Sequence, residues 1–237
     1  MDDGPTLMLA DAGALVGGYR WIEHRLFQIT GSWAATCREP AVKLHLLEAS
    51  YQHAWHAGLW ADRLPSLDHV DPEALSVPFG PASRPLLDAV EGGTRSAPPG
   101  PGPGVAPGPV PGTAADADPL DAVRLAALYR VTVPRLVATY GRHLAMATAV
   151  ADGPTIRALR LVRRDEVESW LAGEALLEAL LASPEAAAAA AETQRELEAI
   201  VVGAGIGVGI VPWPDVAGGA APRGSGSGDR TEAGPVR

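Results

Sequence analysis

Cysteine is nearly missing from this chain: Cys37 is the single one among 237 residues. That excludes an intrachain disulfide framework and any multi-cysteine zinc or iron–sulfur site, and it fits a reducing, cytoplasmic setting. Aromatic residues are scarce at 5%, and half of them are tryptophan. With few sheet-favouring side chains, the bias toward Ala, Leu, Glu and Arg favours helix over strand. Basic residues are in deficit, 19 Lys and Arg against 28 Asp and Glu, for a formal net charge of -9. A chain that repels phosphate overall is not expected to bind nucleic acid. Long apolar runs are lacking as well. The most apolar stretch, Ala199 to Trp213, is interrupted by Gly203, Gly205, Gly207, Gly209 and Pro212, whereas spanning a bilayer takes about 20 continuous residues. The same alternating glycines do not make a G-x-G-x-x-G phosphate loop, so the stretch reads as an apolar strap with Trp213 as its anchor. Near the start, Asp2, Asp3 and Asp11 stand where an export signal carries basic residues. The expectation is a cytoplasmic protein without a membrane segment.

Proline and glycine are abundant but confined. Ser96 to Gly112 holds seven prolines and five glycines, so it has no surface to bury and reads as a linker. Residues 217–237 have the same character and read as a disordered tail. The remaining blocks, 7–95 and 118–213, are expected to form one domain. In the first, Leu15, Tyr19, Ile22, Leu26, Ile29 and Trp33 recur at spacings of three and four, which predicts helix A with one apolar face. Glu39-Pro40 breaks the chain and opens helix B, which runs toward Pro65. The proline-interrupted segment from Leu67 to Glu91 predicts irregular chain with one or two helical turns. Helix C is expected from Pro119 to about Val150, kinked at Pro134. Helix D follows from Pro154 to about Ala182, and Ser183-Pro184-Glu185 starts one more helix. Short A–B and C–D connections dictate antiparallel hairpins. The fold class is therefore all-α: a four-helix bundle of two hairpins joined by a long crossover, with an extra C-terminal helix.

Two segments carry a family resemblance. Asp165-Glu166-Val167-Glu168-Ser169 on helix D resembles the Asp-Glu-x-x-His run in the last core helix of ferritin-like proteins. The end of helix B, from His56 through Trp60 to Arg63-Leu64, is similar to the iron-ligand helix of that superfamily, in which a ligand histidine precedes an Arg-Leu pair. Two hairpins with one long crossover is also the connectivity of ferritin-like bundles. The resemblance implies a metal centre built from one Glu on each of two helices and a Glu-x-x-His on each of the other two. This chain departs from that pattern. Ser169 stands in place of the helix D histidine, His53 in place of the helix B glutamate, and helix C has no carboxylate from Ala122 to Val150.

Helix B can be read in two registers. His53 and His56 share one face with Ala49 and Trp60, while Glu48 and Tyr51 share another with Leu44, Trp55 and Leu59, and both faces look buried. The Trp60 to Leu64 ending favours the first. The candidate metal ligands are then Glu23, His53, His56 and Glu166. Two histidines at i, i+3 and two carboxylates suffice for one divalent ion, iron or manganese, and are too few anions for two. Glu23 and Glu166 can instead pair with arginine, for which Arg20, Arg130 and Arg160 are candidates. The functional expectation is a ferritin-like protein with a degenerate centre, non-catalytic or holding at most one ion. A metal-dependent oxidoreductase acting on a small organic substrate and a helical dimerisation or partner-binding module are the alternatives, so whether the chain is an enzyme stays open. A homo-oligomer or a helical protein partner is expected.

Overall fold

A computed structural model describes residues 9–66, 71–93, 118–207 and 209–211. The 96–112 linker, Trp213 and the 217–237 tail lie outside the described residues. Within them the chain is all-helical, with no strand. No helix among them is long and apolar enough to cross a membrane.

Helix α1 spans Leu9–Thr36 and buries the whole predicted stripe from Leu15 to Trp33. Helix α2 spans Pro40–Ala61, opened by Pro40 at a first-turn position and by the Glu39 side chain, which accepts from the Ala41 amide. The two pack along their lengths as a hairpin, locked midway by the Ser50 hydroxyl donating to the Phe27 carbonyl at 3.0 Å. Past α2, a 3₁₀ turn at Pro72–Leu75 is capped by Asp71 and lies on α1.

Helix α3, Ser83–Gly93, is longer than the one or two turns expected there. The prolines that argued against it do no harm. Pro85 falls in the first turn, where its missing N–H has no intrahelical partner to lose, and Leu86, Leu87 and Val90 are buried.

Predicted helix C is divided. Helix α4, Pro119–Ala126, passes into a π-helical segment at Ala127–Thr132 and then into α5, Val133–Met146. Pro134 cannot donate to the preceding turn, and the chain widens into a π-helical turn just before it. Thr132 fixes that turn, its hydroxyl donating to the Ala127 carbonyl at 2.8 Å. Helix C also ends earlier than Val150, since Ala147 is extended. Helix α6, Ala149–Leu180, begins there and carries one non-helical residue, Asp152, just before Gly153-Pro154. Helix α7, Pro184–Gly203, is capped by Ser183, whose hydroxyl accepts from the Ala186 amide. Helix α6 packs on α2, α4 and α5, while α7 covers α4 and α3.

The described part of the apolar strap lies where α3 and α5 can hold its backbone. Thr139 accepts from the Ile210 amide at 3.0 Å, Ser83 donates to the Ile210 carbonyl at 3.3 Å, and Ile206, Ile210 and Val211 are buried.

Candidate metal centre

The hairpin α1–α2 and helix α6 bring four titratable side chains into the interior. Glu23 comes from the buried face of α1, His53 and His56 from one face of α2, and Glu166 from α6. All four are buried, and one ligand atom from each lies within 4.8 Å of the other three. These are the residues the sequence singles out. Each is a polar position embedded in an apolar stripe, and such positions meet when the stripes pack against one another.

Helix α2 presents its histidine face inward. Tyr51 is 79% exposed and Trp55 45%, and Leu44 and Leu47 also face outward. The second face of α2 is therefore not buried, contrary to the sequence expectation, and Glu48 with Tyr51 stands away from the centre. Periodicity alone cannot distinguish an apolar stripe that packs inside from one left on the surface.

Close contacts tie the cluster together. His53 Nδ1 lies 2.7 Å from Glu23 Oε2 and 3.3 Å from Glu166 Oε1. His56 Nδ1 lies 3.1 Å from Glu166 Oε1 and 3.6 Å from Glu23 Oε1. Glu166 Oε2 is buried with no hydrogen-bond partner, which is costly for a carboxylate oxygen that nothing else engages. None of the three candidate arginines pairs with Glu166: Arg20 pairs with Glu73, Arg130 with Glu174 and Glu178, and Arg160 is exposed.

Two neighbours of the cluster escaped the sequence reading. Tyr140 of α5 donates to Glu23 Oε1 at 2.6 Å, so the helix without a carboxylate contributes a hydroxyl in its place. Asp165 places Oδ2 3.4 Å from His56 Nε2, an arrangement that orients an imidazole whose other nitrogen faces the centre. Its position next to Glu166 was the available signal, but its setting among Arg157, Arg160 and Arg164 reads as surface ion pairing. His143, also on α5, is buried and shares a 3.1 Å hydrogen bond with the Tyr19 hydroxyl. Burial pushes its pKa down to about 4, leaving it neutral. Ser169 faces the Tyr129 hydroxyl at 3.4 Å, and Tyr129 in turn bonds His45 Nε2 at 2.7 Å.

Without metal, the two imidazoles and the Glu23 carboxyl shift one another's ionisation. Burial works against charge on His53, but Glu166 and Glu23 outweigh it and raise the pKa to about 9. His56 is likewise opposed by burial and raised by Glu23 and Glu166 to about 10. Burial alone would raise the Glu23 carboxyl, yet His56 and His53 hold it down at about 2. The raised histidines contribute stability that is complete below their ordinary value of 6.5 and is lost as pH climbs through 9 to 10. The depressed Glu23 contributes stability that is complete above its ordinary 4.5 and is lost as pH falls toward 2. Calorimetry of the metal-free protein should therefore find the unfolding midpoint highest between about pH 4.5 and 6.5, declining on both sides. A midpoint that rises from pH 6.5 to 9 would contradict this charge assignment.

Beside the centre, α2 and α6 leave an open groove of about 630 Å³, walled by Tyr51 and Trp55 on one side and by Ser169 and Ala172 on the other. The Trp55 ring lies 5.6 Å from the His56 ring, centroid to centroid. No protein-family model matches the chain, and neither a curated protein nor a solved structure does.

Proposed function

We propose that the chain is a ferritin-like helical-bundle protein whose centre is reduced to a single divalent metal site, formed by Glu23, His53, His56 and Glu166 and without a catalytic role. The observation that carries this reading is the convergence of two imidazoles and two carboxylates within 4.8 Å, fully buried, with one carboxylate oxygen left unpartnered. Two carboxylates neutralise one divalent ion. A second ion would leave two uncompensated positive charges in a low-dielectric interior, which is strongly disfavoured. Helix α5 supplies Tyr140 where two-metal chemistry calls for another anion, and Ser169 is engaged with Tyr129. The mixed nitrogen and oxygen donor set suits iron or manganese.

Elemental analysis after iron-replete expression and desalting tests the reading. No more than one metal per chain is expected, and the double substitution His53→Ala, His56→Ala should remove it, because loss of one ligand alone costs less than loss of both imidazoles. Metal retained in full by the double variant would reject these four residues as ligands.

A second reading, a metal-dependent oxidoreductase acting on a small organic molecule, is favoured by the groove next to Trp55 and His56. Two iron atoms per chain, together with dioxygen uptake that depends on an added organic compound, would promote it over the first.

A further inference from the structure

We propose that the groove between α2 and α6 is a binding site for an amphiphilic organic cation, an ammonium group carried on an aromatic or apolar body. Its wall is apolar and aromatic, lined by Trp55 and Tyr51, both of them exposed. Ring faces attract cations, and a desolvated ammonium gains more from them than a neutral group does. Its rim is acidic. Glu48 from α2 and Glu168 from α6 both line the groove, and no Lys or Arg does. Glu168 is engaged by Arg164 at 3.1 Å, whereas Glu48 has no cation within salt-bridge distance among the described residues.

The inner end of the groove is neutral and already hydrogen-bonded. His45 and Ser169 are linked through the Tyr129 hydroxyl. Burial lowers the His45 pKa against the raising effect of Glu48, so the imidazole adds no positive charge at neutral pH. The groove therefore offers carboxylates and aromatic rings to a ligand, and its lining holds no Lys or Arg that would favour an anion.

Charge also weighs against a second copy of this chain as the occupant. A two-fold contact through the exposed face of α2 would set one acidic rim against another. A small cation of about phenethylamine size fits the volume, which lies within the range of small-molecule sites.

That such a molecule is acted upon would rest on the oxidoreductase reading; that it binds rests on neither reading of the metal centre. The test is therefore run on the metal-free full-length chain. Tryptophan fluorescence is followed while 2-phenylethylamine or 3-phenylpropionate is added. The amine should saturate and bind at least about tenfold more tightly than the acid. Glu48→Gln should weaken the amine about threefold to fivefold, as expected for an exposed charge pair. Trp55→Phe should remove most of the fluorescence response. Ala172 is exposed, so Ala172→Phe can fill the groove without entering the core, and it should abolish binding while leaving the helical circular dichroism unchanged. Equal or tighter binding of the acid, a linear response to both compounds, or unaltered amine affinity in Ala172→Phe would overturn the proposal. A dimer in sedimentation that Tyr51→Lys converts to monomer, with no amine response in the wild type, would overturn it in favour of self-association. Loss of the amine response leaves the metal stoichiometry standing, and an absent metal leaves the amine titration standing.

Discussion

Glu166→Ala should destabilise the metal-free protein by about 3 kcal/mol or more, whereas Glu168→Ala should cost less than about 0.5 kcal/mol. The two residues sit two positions apart on α6 and differ in where they point. Glu166 is fully buried, with Oε1 3.3 Å from His53 and 3.1 Å from His56. Its removal leaves Glu23 to face two imidazoles that the native cluster keeps charged. One of them must then lose its proton or stay unpaired in the interior, and breaking a buried pair from one side incurs the desolvation of the partner left behind. Glu168 pairs with Arg164 one turn away, and both side chains are largely solvated. Exposed pairs of this spacing contribute a few tenths of a kcal/mol. Urea unfolding of both variants followed by circular dichroism checks the contrast. Equal and negligible effects would mean that α6 does not present Glu166 to the core.

How far this arrangement is legible in the sequence depends on the kind of signal each part leaves. Glu23 and Glu166 stand out because a carboxylate inside an apolar stripe needs a partner, and the stripes of α1 and α6 are regular enough to place it. His53 and His56 were readable as a pair at i, i+3. The burial of one α2 face and the exposure of the other were not, because Leu44, Tyr51 and Trp55 recur at helical spacing just as a buried stripe does, yet end on the surface. Tyr140 and Asp165 act on the centre across 117 and 109 residues of sequence. Nothing local marks a hydroxyl or a carboxylate for such a contact. Pro134 announced an irregularity in helix C without specifying that a π-helical segment would absorb it. The length of α3 was hidden by prolines whose effect depends on which turn of the helix they occupy. The all-helical class follows from composition and periodicity, while the contacts that shape the centre follow from tertiary packing.

Gly17→Ala should lower stability by about 3 kcal/mol or more, while Gly58→Ala should raise it by about 0.5 kcal/mol. Both are glycines inside helices, where alanine is intrinsically better by up to about 1 kcal/mol, so local propensity predicts the same sign for each. Packing reverses one of them. At Gly17 an added Cβ would lie 2.0 Å from the Leu75 carbonyl oxygen and 2.6 Å from its carbon. Those atoms are backbone in the 3₁₀ turn, capped by Asp71 and tied to α1 by the Arg20–Glu73 ion pair at 2.6 Å. No side-chain rotation relieves the overlap, and the turn itself must move off α1. Gly18 reinforces the point, since a Cβ there meets the Phe79 Cβ at 2.6 Å. At Gly58 a Cβ meets nothing within 4 Å, so the substitution only restricts the unfolded chain. For a protein of this size, thermal melts should show Gly17→Ala falling by about 6 °C or more and Gly58→Ala rising by one or two degrees. Gly17→Ala melting within a degree of the wild type would show that the Pro72–Leu75 turn does not rest on α1.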